Sequence, residues 1–296
     1  MTTPTVIREL YLAKHIIKRI QESADRGWWW DKTNNPFRGC TNVSEGCRNC
    51  WALADIEGRL RHQIAGAYTD LAGPTFVPAA LDALWRDLVP KRYFVPSMSD
   101  PLHDAFDDAT FFSYFDALVV ANWHYYFVLT KRADRLAQIG PYLDWPDHVI
   151  AVVSVESQKY VGRIERLIES GAKRKGLSVE PLIGHVDVKS SGVRDLVREL
   201  DYVIVGGETA PQSKVRPMRP EWAREWRDVC GEEGVPFMFK QHGDVDEHGV
   251  YVGRSKAGRL LDGRTHDDLP RGCLDHLVRA QAIAAAEKLR RRIARA

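Results

Sequence analysis

The sequence predicts an α/β fold built as a complete or partial β/α barrel, and three observations carry that reading. Short apolar runs alternate with amphipathic helical stretches six or seven times along the chain. The runs lack polar alternation, as expected of strands covered on both faces. Each run ends in a polar or charged residue, where a barrel places its working groups. The 296 residues suffice for one large domain or two small ones. They divide into an accessory N-terminal helix at 1–26, a barrel at 27–241, and a C-terminal hairpin or lid with a basic helix at 242–296.

Residues 6–24 read as a helix with Val6, Leu10, Ala13, Ile17 and Ile20 on one face and Gly27 as the stop. Trp28, Trp29 and Trp30 read as a strand with a packing role, in preference to a base-stacking platform. A helix follows Cys50 through Trp51, Ala52, Ile56 and Leu60, then a loop at 71–78 and a short helix at 81–88. The next strand, 92–96, ends at Asp100. Helix 107–117 leads to strand 125–129, tipped by Lys131 and Arg132. Helix 133–139 leads to strand 149–153, tipped by Ser154 and Glu156. Helix 161–168 and a basic loop at 173–175 lead to strand 177–179, tipped by Glu180. Helix 193–200 leads to strand 202–205, tipped by Gly206, Gly207 and Glu208. Helix 220–230 leads to strand 236–239, tipped by Lys240 and Gln241. Residues 242–258 read as a hairpin or lid, and 263–270 as a turn. A last helix starts near Cys273 and ends among Lys288, Arg290, Arg291, Arg292 and Arg295. That basic end suits either a solvated terminus, favoured by the helix dipole, or nucleic acid.

The chemistry centres on residues 35–50, NPFRGCTNVSEGCRNC, which hold Cys40, Cys47 and Cys50. Three thiols in one loop suit an iron–sulfur cluster with one open coordination position. A structural zinc with a distant fourth ligand is the other reading. A disulfide fits less well, because the set is odd and the composition is not that of a disulfide-dense secreted protein. Cys230 and Cys273 stand apart and read as buried packing residues. Asp100, Lys131, Glu156, Glu180, Glu208 and Lys240 all fall at strand ends, so they converge on one face if the barrel forms. They serve there either as functional groups or as ion pairs sealing the barrel mouth.

The cysteine loop resembles that of a phage-associated family of radical S-adenosylmethionine-like three-cysteine proteins of largely unknown function. The resemblance continues through VPSMSDP at 95–101, LTKR at 129–132, SVE at 154–156, EPLIG at 180–184 and VIVGGE at 203–208. It extends to RPM at 216–218, VPFMFKQ at 235–241 and RLLDGR at 259–264. It implies a barrel of the radical type, with Cys40, Cys47 and Cys50 holding a 4Fe-4S cluster that reductively cleaves S-adenosylmethionine. Asp100, Ser154, Glu156, Gly206, Gly207 and Glu208 would bind the cofactor, and Lys131, Glu180 and Lys240 would act in catalysis. Six residues separate the first two cysteines, where the commonest arrangement has three. The implied partners are DNA, RNA or a modified nucleotide as substrate, an electron donor such as flavodoxin or ferredoxin, and a partner protein. The alternative is a non-catalytic iron–sulfur or zinc module that binds nucleic acid or protein.

Composition narrows the remaining classes. Hydrophobic residues make up 44% and charged residues 28%, ordinary values for a globular chain. A formal net charge of +2 does not demand a polyanionic partner, although a local patch remains open. No apolar run approaches a membrane span and the first residues do not read as a signal peptide, so the expected location is the cytoplasm. Gly206 and Gly207 do not make a dinucleotide fingerprint, and no phosphate-cradling P-loop occurs.

Overall fold

The computed structural model describes residues 4–56 and 73–295, with side chains from residue 13 onward. The strands are β1 (Lys32–Thr33), β2 (Phe37–Arg38), β3 (Thr75–Phe76), β4 (Arg92–Val95), β5 (Tyr125–Thr130), β6 (Val149–Ser154), β7 (Arg174–Val179), β8 (Tyr202–Gly206) and β9 (Phe237–Gln241). The helices are α1 (Pro4–Ala24), α2 (Trp51–Asp55), α3 (Asp82–Arg86), α4 (Asp108–Val120), α5 (Ala133–Ile139), α6 (Gly162–Glu169), α7 (Ser191–Arg198), α8 (Pro220–Glu232), α9 (Arg254–Ala257) and α10 (Cys273–Ile293).

Seven strands form one curled, open sheet in the order β1-β4-β5-β6-β7-β8-β9, and every pairing is parallel. The fold is therefore a half-barrel, the partial form of the expected architecture. Parallel neighbours need crossovers, and helices α4 to α8 supply them. Local sequence sets several boundaries. The Asp107 carboxylate accepts from the Thr110 amide at 2.8 Å and caps α4. Pro220 opens α8, where a missing N–H costs nothing.

Alternation along each strand separates two cores. Tyr93, Val95, Tyr126, Val128, Ala151, Val153, Val203 and Val205 face the outer layer, against Phe111, Phe115, Leu136, Leu167, Val197 and Trp226. Phe94, Tyr125, Phe127, Ile150, Val152, Tyr202, Ile204 and Met238 face inward. The inner face is closed by Ile16 of α1, by Trp29, and by Cys273 and Leu277 of α10. Cys230 lies in the outer core and Cys273 in the inner one, both fully buried, as packing cysteines. Asp31 and Arg92, nearly inaccessible, pair at 2.8 Å and tie the segment after α1 to β4.

Four elements differ from the sequence reading, and one is the basic loop at 173–175, whose Arg174 and Lys175 open β7 and pair with Ile150 and Ala151 of β6. Trp28 to Trp30 are not a strand; Gly27 turns with φ +70° and the two-residue β1 begins at Lys32. Trp29 does pack, against Phe94 and Phe127. On α1 it is Ile16 that is buried, while Ile17 is half exposed. Both isoleucines fit a helical stripe, and the direction of the inner core selects one. β2 and β3 form a separate antiparallel ribbon, Phe37 opposite Phe76, within the stretch read as loop. Leu60, Leu71 and Leu10 lie outside the described side chains. The 242–258 segment carries a Val245–Tyr251 antiparallel bridge and the short α9. No described helix is long and apolar enough to cross a membrane.

Three histidines sit where α10 meets the start of β5 and β6. The His148 and His276 rings stack at 5.3 Å, and His276 Nε2 lies 3.0 Å from the His124 carbonyl oxygen. Burial pushes His124 down to about 4. Burial, then the neighbouring His148, pushes His276 down to about 4. Both are neutral in the folded chain at neutral pH, whereas unfolded histidines protonate near their ordinary value of 6.5. Between 6.5 and 4 the unfolded state therefore binds more protons, and stability falls as pH falls through that window. Urea unfolding at a series of pH values should show the midpoint dropping there. His276→Phe should flatten the drop by removing one of the depressed groups, His148 also being pushed down by burial.

Candidate functional site

The expected residues do meet at one place, the open end of the half-barrel beyond the strand C-termini. Asp100, just past β4, is 5% exposed. Its Oδ1 accepts from the Thr130 hydroxyl at 2.7 Å, and its Oδ2 from the Lys131 amide at 2.9 Å. The Arg132 guanidinium lies 3.2 Å from Oδ2. One carboxylate thus joins the ends of β4 and β5.

Glu156, past β6, has no exposed surface. It accepts from Lys131 Nζ, from Arg163 Nη1 at 3.0 Å and from the Ser44 hydroxyl at 2.6 Å. Arg163 also donates to the Ser154 carbonyl at 2.8 Å. Ser154 is itself buried at the end of β6. Glu180, past β7, pairs with Lys240 of β9 at 2.9 Å, and Lys240 lies 5.7 Å from the centre of the Trp30 ring. Glu208, past β8, is buried and accepts from the Arg216 guanidinium, from the Arg216 amide at 2.9 Å and from Asn49 at 3.0 Å.

Gly206 and Gly207 have a packing reason to be glycine. A Cβ on Gly206 would enter the Glu180 carboxylate, and one on Gly207 would overlap the His242 carbonyl. The pair lets β8 end against the returning 242–243 backbone.

The cysteine loop lies across these strand ends and is held by polar ties. Ser44 reaches Glu156 and Asn49 reaches Glu208. Arg216 donates to the Glu45 carbonyl at 2.9 Å, Arg132 to Thr41 Oγ1 at 3.1 Å, and Lys159 pairs with Glu45 at 2.9 Å. Gly46 presses onto Glu156, where an added Cβ would stand 2.6 Å from its Cγ. Asn35 secures the loop's start by accepting from the Ser97 amide at 2.7 Å and the Met98 amide at 3.2 Å. Ser44, Asn49, Arg163 and Arg216 also belong to this network, and the sequence reading assigned them no role. Arg216 stands in the RPM stretch at 216–218, and Arg163 carried a signal as a cation in the first turn of the helix that follows a strand-tip glutamate.

The thiols do not assemble as expected. Cys40 Sγ lies 3.8 Å from Arg132 Nη1 and 3.6 Å from the Thr41 carbonyl, and burial, then Asp100, push its thiol up against the pull of Arg132. Cys47 Sγ lies 3.5 Å from the Ser44 hydroxyl. Cys50 packs with Ala52, Ile56 and Met98. Among the described residues no three His, Cys, Asp or Glu side chains form a group able to hold a metal ion. Cys40, Cys47 and Cys50 are therefore not the cluster ligands that the resemblance implied. The 4Fe-4S cluster, the S-adenosylmethionine site and the radical enzyme all depended on that ligand set, and they fall with it, as does the zinc alternative. The physical reason is that the neighbouring polar groups are matched to one another, each carboxylate to a cation, and the Cys40 sulfur lies against the Arg132 guanidinium.

Glu156→Gln keeps the shape but removes the charge that Lys131 and Arg163 face. Breaking a buried pair costs on the order of 3 kcal/mol, and urea unfolding should show a loss of that size. Ser44→Ala should cost about 1 kcal/mol by the same measurement.

Residues 26–270 match a family described as a protein of unknown function (DUF5131). No curated protein and no solved structure matches the chain. The match covers most of the chain and all of the strand-end network, and the chain belongs to the DUF5131 family of unknown function.

Proposed function

We propose that the open end of the half-barrel binds single-stranded nucleic acid without turnover. One observation carries this reading: the strand-end carboxylates lie beneath their cations. The Glu156, Glu208 and Glu180 side chains are 0, 3 and 13% exposed, whereas those of Arg163, Lys131, Arg216 and Lys240 are 13 to 23% exposed. The buried charges hold the guanidinium and ammonium groups in fixed positions facing outward. With Asp100 and Arg132 included, four carboxylates face five cations, an excess of one positive charge.

The rim adds to that excess. Arg48 and Lys214 are exposed on the rim, and Arg48 stands near enough to Glu45 to help Lys159 hold its carboxyl below the usual range. A shallow cavity of about 390 Å³ beside the loop is lined by Asn42, Val43, Ser44, Glu45, Arg48, Lys159 and Tyr160, so its two cations share it with one carboxylate. Trp51, at the start of α2, is 54% exposed. Fixed cations suit phosphates, and an exposed indole suits an unpaired base, the combination that single-strand binders use. Free cysteines throughout the described chain accord with a reducing compartment such as the cytoplasm.

Fluorescence anisotropy with labelled single-stranded DNA and RNA at about 50 and 200 mM salt tests the reading. Binding should weaken steeply with salt. Arg48→Ala should lower the salt slope by about one. Trp51→Ala should weaken binding to all sequences by roughly 1–3 kcal/mol. No binding to either single strand at the lower salt would dismiss this function and turn attention to a protein partner.

A further inference from the structure

We infer that the Cys47–Cys50 turn is a reversible thiol-oxidation site, closed to a disulfide by a peroxide. The inference stands independently of nucleic-acid binding. Its basis is local geometry. The Cys50 amide donates to the Cys47 carbonyl at 3.1 Å, closing a four-residue turn that follows the short 3₁₀ segment Glu45–Cys47. Such a turn brings its first and fourth Cα atoms within about 7 Å. Disulfides span roughly 4.4 to 6.8 Å between Cα atoms. Both thiols are free.

The surroundings assign the order of events. Cys50 is partly exposed and its sulfur has no polar partner among the described residues, so it meets the oxidant first. Cys47 is 8% exposed beneath it, with the Ser44 hydroxyl 3.5 Å away. The Cys50 sulfur attacks one peroxide oxygen and the O–O bond breaks. The products are a sulfenic acid and, with the thiol proton, one water. The Cys47 sulfur then attacks the Cys50 sulfur and the S–O bond breaks. The departing hydroxide takes the Cys47 proton as a second water. Two thiols are oxidised to one disulfide and one peroxide is reduced, and a thiol reductant reverses the bond.

Cys40 is excluded from the pair by its setting. It lies outside the turn, with its sulfur against the Arg132 guanidinium, and burial, then Asp100, push its thiol up. Cys230 and Cys273 are sealed in the two cores, and burial pushes their thiols up, Cys273 to about 12. The bond would clasp the turn bearing Arg48 and Asn49, and Asn49 is the residue that donates to Glu208.

The test treats the whole chain with stoichiometric hydrogen peroxide, blocks remaining thiols with iodoacetamide and digests with trypsin. Cleavage after Arg38, Arg48 and Arg59 puts Cys40 and Cys47 on peptide 39–48 and Cys50 on peptide 49–59. The expected product is these two peptides linked with the loss of two hydrogens. Fragmentation should place the bond at Cys47 and leave Cys40 alkylated. Dithiothreitol should restore both thiols. Cys47→Ser should leave Cys50 as a sulfenic acid that dimedone traps, and Cys40→Ser should still form the link. A bond from Cys40, or over-oxidation of Cys50 with no link in the wild-type chain, would overturn the assignment.

Discussion

A carboxylate with no exposed surface is costly unless its charge is met, and Glu156 is such a group. Lys131 meets it from the end of β5, Arg163 from the first turn of α6 and Ser44 from the cysteine loop. Those three contacts draw together segments that are 112 residues apart at the widest. Gly46 has to be small because Glu156 occupies the space where a side chain would lie. The geometry of the open end follows from satisfying this one buried charge.

The same arrangement recurs around the end of the sheet. Asp100 binds the end of β5 through its backbone, Glu180 reaches across to β9, and Glu208 gathers Arg216 and Asn49. Each ties a strand end to a neighbour or to the loop, which an open sheet, lacking the closure of a full barrel, needs at its mouth. A cation held by a buried anion loses its freedom to move before a ligand arrives, and that pre-organisation lowers the entropy cost of capturing a phosphate.

The two cores show why the sheet can stay open. The outer face is covered by the crossover helices, but no helix between strands can cover the inner one. α1, Trp29 and α10 come from outside the repeating units and close it. The accessory segments are therefore part of the inner core rather than appendages, and the three histidines beneath α10 lie at that junction.

The repeating strand, polar tip and helix were legible in the sequence because burial on both faces makes the middle of most strands apolar. Tyr125 to Thr130 and Val149 to Ser154 are plain examples. Asp100, Glu156, Glu180 and Glu208 were placed at the open end for the same reason, since a parallel sheet puts every strand's end on one side. The sequence could not show whether three cysteines within eleven residues would converge as ligands, because spacing limits reach but does not orient sulfurs. Folding turned Cys40 toward Arg132 and Cys50 toward Met98, and paired each nearby carboxylate with a cation. Nor could it pair Asn49 with Glu208 across 159 residues, or choose Ile16 over Ile17. Periodicity determines which residues are buried within an element. Which buried polar group meets which is decided only when distant segments arrive together and each charge must find its partner.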